Sequence, residues 1–424
     1  MKKKPIETFT FLNNKFNIDK NIVLSNIFYL IVISILSYIG IIFLNIFIMG
    51  SIDFFDIRNY MITSLSIING SIPYITIPYE YAILSLCPMI LSVITSMVLG
   101  DIRLSFIIFQ LFMVMCNIIT LIAVYLIVLK LYKNNDIAFK AGLLYIISIV
   151  AIYTTLTRHD SLPVCLMVLS ILYFVYKKES SSYIISIMGF FTKIFPIIVS
   201  PFFIIYYLKH NNIQESKKYL TSYPFIIFGI LPIGLIGLYL LGGVDAIKPY
   251  LFASGSTINS VYANTFTYAL YMLINNIIPI SVSIVSTFMS IILGISGLYL
   301  LYYIYKSIDF SYKDMVLAIC ITLSLLIITS KFHSPQYFMW ISPLLVVLVV
   351  DDIKKIIIYC IFQIMTFIEF PLLFGKYYTN VSYVDNAGNI PLLFFIIEYT
   401  ILILLLLMCM NFNIKKKLLS IIKS

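Results

Sequence analysis

Charge is what this chain has least of. Asp, Glu, Lys and Arg together make up 11% of its 424 residues, against roughly 25% in an ordinary soluble domain. A soluble globular fold is excluded on that ground. The six cysteines fall singly inside apolar runs, with no Cys-x-x-Cys or zinc-type spacing, so neither a disulfide framework nor a cysteine-built metal site is expected. No gap between apolar runs is long enough to hold a separate soluble domain. What is abundant is hydrocarbon: 61% of residues are hydrophobic and the mean hydropathy is +1.04. A single membrane-embedded domain over residues 1–424 follows.

Apolar runs near 27–49, 104–130, 141–157, 161–176, 222–242, 280–305, 315–330, 336–350, 355–374 and 390–410 read as spanning helices. The basic segment Met1–Lys20 precedes a run too long for a signal-peptide core, so that first run is expected to be a retained helix. Two stretches need another criterion. Residues 82–99 are short and bounded by Glu80 and Asp101, and residues 183–208 are interrupted by Lys193 and Pro196. Lysine clusters at 177–178 and at 209–218 flank the second stretch, and the positive-inside rule places both in the cytoplasm. Residues 183–208 then form two short helices meeting near Lys193, and 82–99 a juxtamembrane or re-entrant helix on the outer face.

The resulting fold class is an all-α polytopic membrane protein with about twelve spans (roughly 10–13) and outer juxtamembrane helices. Both termini are expected in the cytoplasm. Of the 28 Lys and Arg residues, 21 then lie inside, all of them lysine. The other seven, including all three arginines (Arg58, Arg103 and Arg158), lie at the outer side. The net charge of +10 is therefore mostly an orienting lysine collar and gives no reason to expect nucleic acid.

The polar residues that remain collect on the outer loops. Asp53, Asp56, Arg58 and Glu80 lie in 50–81, Arg158, His159 and Asp160 in the next turn, Lys193 at the helix break, and Lys331, His333 and Gln336 in 331–336. Ionisable groups at this depth are costly and mark candidate sites. Asp53, Asp56 and Tyr60, spaced three and four apart, would share one face of a helix starting near Ile52, where a carboxylate can serve as a general base. An acid near a helix start also serves as a cap or dipole partner. Tyr74, Tyr79 and Tyr81 form an aromatic group among the turns enforced by Gly70, Pro73 and Pro78. Such tyrosines are membrane-interface anchors or a sugar-binding surface. Arg158, Lys193, Lys331 and His333 offer positive charge for a phosphate.

These segments resemble the GT-C superfamily of multi-spanning glycosyltransferases, most closely glycosyltransferase family 87, the polyprenyl-phosphomannose-dependent group. The resemblance runs in order through Asp56-Ile57-Arg58-Asn59-Tyr60, Gly70-Ser71-Ile72-Pro73-Tyr74, Glu80-Tyr81, Arg158-His159-Asp160-Ser161-Leu162-Pro163, Thr192-Lys193-Ile194-Phe195-Pro196 and Lys331-Phe332-His333-Ser334-Pro335-Gln336-Tyr337. The family's Glu-Tyr-Pro-Pro element lacks both prolines here, and His159 stands where the family has an aromatic residue.

The resemblance implies an inverting transfer of a hexose, mannose first, from a polyprenyl-phosphate-linked donor to a lipid or glycan acceptor on the extracytoplasmic face of the cell membrane. Asp56 would be the general base, with Asp53 a second acidic candidate. Arg158, Lys193, Lys331 and His333 would hold the donor phosphate. Arg58, Tyr60, Tyr74, Glu80, Tyr81, His159, Asp160 and Gln336 would line the acceptor and sugar. Residues 20–210 would be the catalytic half and 211–424 the more variable half. No metal site is assigned, although a divalent ion (Mg or Mn) near Asp53 and Asp56 is an option. The alternatives are a transporter or lipid-linked-sugar flippase and, within the class, a protein O-mannosyltransferase or an aminoarabinose-type transferase.

Overall fold

Lipid offers no hydrogen-bond partners, so an apolar chain must satisfy its backbone internally, and helix is the solution that each segment reaches alone. The computed structural model describes residues 20–44, 54–211, 214, 229–250, 264–306, 310–373 and 389–410, and these contain α-helices and no β-strand. In chain order they are α1 (Lys20–Leu44), α2 (Phe55–Ile68), α3 (Leu86–Val98), α4 (Leu104–Tyr132), α5 (Asn135–Ile146), α6 (Ile149–Thr157), α7 (Ser161–Val175) and α8 (Glu179–Thr192). There follow α9 (Val199–His210), α10 (Leu231–Ile247), α11 (Phe266–Asn275), α12 (Val282–Lys306), α13 (Tyr312–Thr329), α14 (Phe338–Val349), α15 (Ile353–Phe367) and α16 (Asn389–Cys409). The fold is that of a helical polytopic membrane protein.

Seven helical segments among the described residues are long and apolar enough to cross a membrane, or eight if the pair α5–α6, bent by 53°, is one broken span and not a re-entrant loop. The twelve expected spans are not reached by length. Segments Ile83–Val98, Ser161–Val175, Phe195–His210 and Phe338–Val349 are apolar but have 10–17 residues. At 1.5 Å per residue they cover at most about 26 Å, short of a hydrocarbon core of about 30 Å. The run expected as one helix over 141–157 breaks at Ser148, whose φ/ψ of −71°/81° leaves the helical region. Its hydroxyl bonds the Leu144 carbonyl and the Tyr359 hydroxyl.

The break expected near Lys193 is present. α8 ends at Thr192, Lys193 is extended, and a 3₁₀ turn over Phe195–Ile198 leads into α9. Pro196 cannot continue the helical ladder. Gly189 allows the return, since a Cβ there would lie 2.6 Å from Pro196 Cβ.

Helices in lipid gain little from hydrophobic exclusion and hold together by close packing. α4 runs through the larger core, where Val124, Tyr125, Ile127 and Val128 share one buried cluster with residues of α5, α7, α13 and α14. A second, smaller core joins Ile57, Tyr60 and Met61 of α2 to Tyr74, Tyr79, Met89, Phe109, Phe190 and Tyr250. Hydroxyls inside helices are absorbed locally, as in Ser64 to Tyr60 O and Thr120 to Cys116 O. At the end where α4 meets α5, Asn134 caps α5 and Ser311 with Asp314 forms a capping box on α13. The candidate residues lie at the opposite end, where α6, α8 and α13 finish and α7 and α14 begin.

Candidate functional site

Arg158 ends α6 in an extended conformation, so the chain reverses over Arg158–Asp160 before α7 starts at Ser161. The three polar residues of this turn are buried, Arg158 at 6% exposure, His159 at 1% and Asp160 at 0%. Charges held this far from water require partners. Arg158 Nε lies 2.8 Å from Asp56 Oδ2, and the Asp56 carboxylate retains 22% exposure. The guanidinium also donates to Gln336 Oε1 at 3.0 Å and to the Thr157 carbonyl at 3.0 Å. Ser334 Oγ, donating to the same Gln336 oxygen at 2.8 Å, fixes that amide.

The second pair lies on the adjacent turn residue. Lys193 Nζ donates to Asp160 Oδ1 at 2.7 Å, and the Trp340 indole donates to the same oxygen at 2.7 Å. The ammonium is boxed by aromatic faces, 5.0 Å from the Trp340 ring centre and 5.6 Å from that of Tyr337. Phe195 stacks on Trp340 at 4.3 Å. Burial acts on Asp160 in the neutral direction, but Lys193, His159 and the Trp340 donor outweigh it, so the carboxyl is held below its ordinary range. Burial also pushes the His159 imidazole down to about 3, with Lys193 and Arg158 acting in the same direction against Asp160, so the ring is neutral near pH 7.

A chain of rings covers these pairs. Tyr60 Oη is 3.0 Å from His159 Nδ1, and Tyr81 packs edge-on against His159 at 4.7 Å and against Tyr60 at 5.5 Å. Tyr74 has a different task. Its hydroxyl donates to the Tyr81 carbonyl at 2.6 Å, which holds the 70–81 loop in shape. His159 Nε2 and Asp160 Oδ2 are buried without a hydrogen-bond partner among the described residues.

The structure therefore brings together Asp56, Tyr60, Tyr81, Arg158, His159, Asp160, Lys193 and Gln336. Arg58 and Glu80 are exposed, Arg58 on the outward flank of α2 and Glu80 in the loop. Asp53 lies outside the described residues. Lys331 is half-buried with its ammonium 4.9 Å from the Phe332 ring centre, and burial lowers its pKa. His333 turns into the bundle toward Tyr399, away from solvent. A metal ion on Asp56 would compete with the guanidinium already on that carboxylate, so these residues do not favour one there.

Sequence reasoning missed Trp340, the only tryptophan of the chain. It also missed Glu369 and Glu398, both fully buried. Trp340 carried no signal in a hydrophobic run, whereas each glutamate was visible as a lone acid within an expected span. No family model matches the chain, and no curated protein matches it.

Proposed function

We propose that the protein is a membrane glycosyltransferase that moves a hexose, mannose first, from a polyprenyl phosphate to a lipid or glycan acceptor. The observation that carries this reading is the Asp56–Arg158 pair, a partly exposed carboxylate held on a buried guanidinium at one end of the helical bundle. The lysine distribution favours the extracytoplasmic side for that end, with the termini in the cytoplasm.

Within this reading the pair has two states. Without donor, Arg158 engages Asp56 and occupies its carboxylate. A donor phosphate entering beside Arg158 draws the guanidinium toward its own oxygens, for which the fork of N–H donors is suited. The carboxylate then loses its cation and gains an anionic neighbour, and both changes raise its proton affinity. Asp56 takes the proton of an acceptor hydroxyl as that oxygen bonds the anomeric carbon. The bond from that carbon to the phosphate oxygen breaks with its electron pair staying on the phosphate, where Arg158 stabilises the charge. Configuration inverts. The Asp160–Lys193–Trp340 group holds the Arg158 turn rigid from beneath. Tyr81, partly exposed and packed against the neutral, buried His159, offers a wall for a sugar ring.

A transporter or flippase for the lipid-linked sugar is the second reading, favoured by the buried carboxylates Glu369 and Glu398. Membranes containing the protein, supplied with polyprenyl phosphates carrying labelled mannose or other sugars, separate the two. Label in a new glycosylated product supports transfer. Donor that crosses the membrane unchanged, with no labelled product from any sugar, overturns it in favour of transport.

A further inference from the structure

Behind the Arg158 turn, three ionisable side chains from separate elements converge in the interior. His333 comes from the turn before α14, Glu369 from the π-helical segment Ile368–Leu373, and Glu398 from α16. All three have 0% exposure, and one candidate ligand atom from each lies within 4.8 Å of the others. The Tyr399 hydroxyl is 3.1 Å from His333 Nδ1, which sets the ring so that Nε2 faces Glu369 Oε2 at 3.9 Å. Asn264 Nδ2 donates to Glu369 Oε1 at 3.0 Å.

Apart from the Glu369 carboxyl beside it, which brings no donor unless a proton is shared, Glu398 has no hydrogen-bond partner for either buried oxygen among the described residues, and His333 Nε2 and Asn264 Oδ1 are buried without one as well. Unmet polar atoms of this kind are expensive anywhere and more so in lipid. Four from one neighbourhood, three of them on side chains of metal-ligating type, call for one electropositive occupant.

We propose that His333, Glu369 and Glu398 bind a divalent transition ion of the Mn²⁺ or Zn²⁺ class, with Asn264 Oδ1 as a further oxygen donor. One imidazole nitrogen among carboxylates suits these ions better than Mg²⁺ or Ca²⁺, which prefer all-oxygen sets. Donors about 2.1 Å from a metal stand about 3.4 Å apart in a tetrahedron and about 4.2 Å apart when opposed. The 3.9 Å between His333 and Glu369 falls within that interval. Nδ1–H donating to the Tyr399 oxygen leaves Nε2 with its lone pair toward the ion, the usual arrangement of an oriented histidine ligand.

The ion has a structural consequence for Arg158. His333 shares its turn with Gln336, which accepts from Arg158, and Glu369 precedes Phe370, whose ring centre lies 5.8 Å from the guanidinium carbon. Binding would fasten both braces of Arg158 to α16. Ion binding stands whether or not the protein transfers a sugar, and its test needs no turnover.

The full chain purified in detergent, stripped with chelator, is equilibrated with Mn²⁺, Zn²⁺ or Mg²⁺ and desalted. Metal content is then measured beside the thermal unfolding midpoint, for the wild type and for Glu398→Gln. The expected result is about one equivalent of Mn²⁺ or Zn²⁺ retained by the wild type with a raised midpoint, little Mg²⁺, and retention at least tenfold lower in Glu398→Gln. Failure of the wild type to retain either ion overturns the proposal irrespective of how the variant behaves, and points to two carboxyls sharing a proton. Equal retention by a folded Glu398→Gln overturns it as well.

Discussion

Asp160 and Glu398 are both carboxylates with 0% exposure in an apolar helical bundle, yet their surroundings differ. Asp160 Oδ1 receives an ammonium and an indole N–H, each at 2.7 Å, so its charge is compensated from within the chain. Neither oxygen of Glu398 receives a donor among the described residues, its polar neighbour being another carboxyl, Glu369. A compensated buried charge locks a conformation. An uncompensated one points to a proton or an ion that comes from outside. The Arg158 turn is therefore read as a rigid platform with Asp56 as its accessible acid, and the His333–Glu369–Glu398 group as a receptor.

The most severe test of the platform is Asp160→Asn, which removes the fully buried anion and leaves the partly buried Lys193 without it. A loss of about 3–5 kcal/mol is expected, read as a lower unfolding midpoint in detergent. Adding Lys193→Met to that variant should recover part of the loss. Additive losses would show that the pair is not coupled. Trp340→Phe keeps the stacking surface and removes one donor to a charged acceptor, at an expected cost of about 1.5–3 kcal/mol. A neutral result would show that the indole does not compensate Asp160.

The His159 imidazole gives the contrast a pH dependence. Its folded pKa of about 3 lies below the ordinary 6.5, so between those values the unfolded chain binds a proton that the folded chain refuses. Through this group stability falls as pH drops below about 6.5, by about 2 kcal/mol at pH 5. His159→Gln should remove this group's share of the slope and leave that of His333, which burial lowers in the same direction. An unchanged slope in the variant would place the titration elsewhere. The smallest effect is expected at Glu80, exposed in its loop, where Glu80→Gln should shift stability by no more than about 0.5 kcal/mol.

Features that depend on local chain properties were readable in the sequence. Pro196 after Lys193 announced the break between α8 and α9, and the spacing of Asp56 and Tyr60 announced the helix that carries them. The polar turn Arg158–Asp160 stood out because it interrupts an apolar chain. What pairs with what was not readable. Asp56 and Arg158 meet across more than a hundred positions, and Trp340 reaches Asp160 from the other half of the chain. The contacts around Arg158 and Asp160 therefore join residues from both halves. Seven helical segments among the described residues reach spanning length, and hydropathy alone did not show the bend at Ser148, which needs a tertiary partner in Tyr359. Glu369 and Glu398 were visible one at a time, but their convergence with His333 exists only in the packed bundle.

The central claim is that Asp56, on its Arg158 partner, is the base of a sugar transfer. It is tested most directly by measuring label transferred from polyprenyl-phosphate mannose by purified wild type and Asp56→Asn at equal folded concentration. The account predicts transfer by the wild type and a rate at least about 100-fold lower in the variant, the usual scale for loss of a general base, with the unfolding transition retained. Transfer by folded Asp56→Asn at the wild-type rate would contradict it.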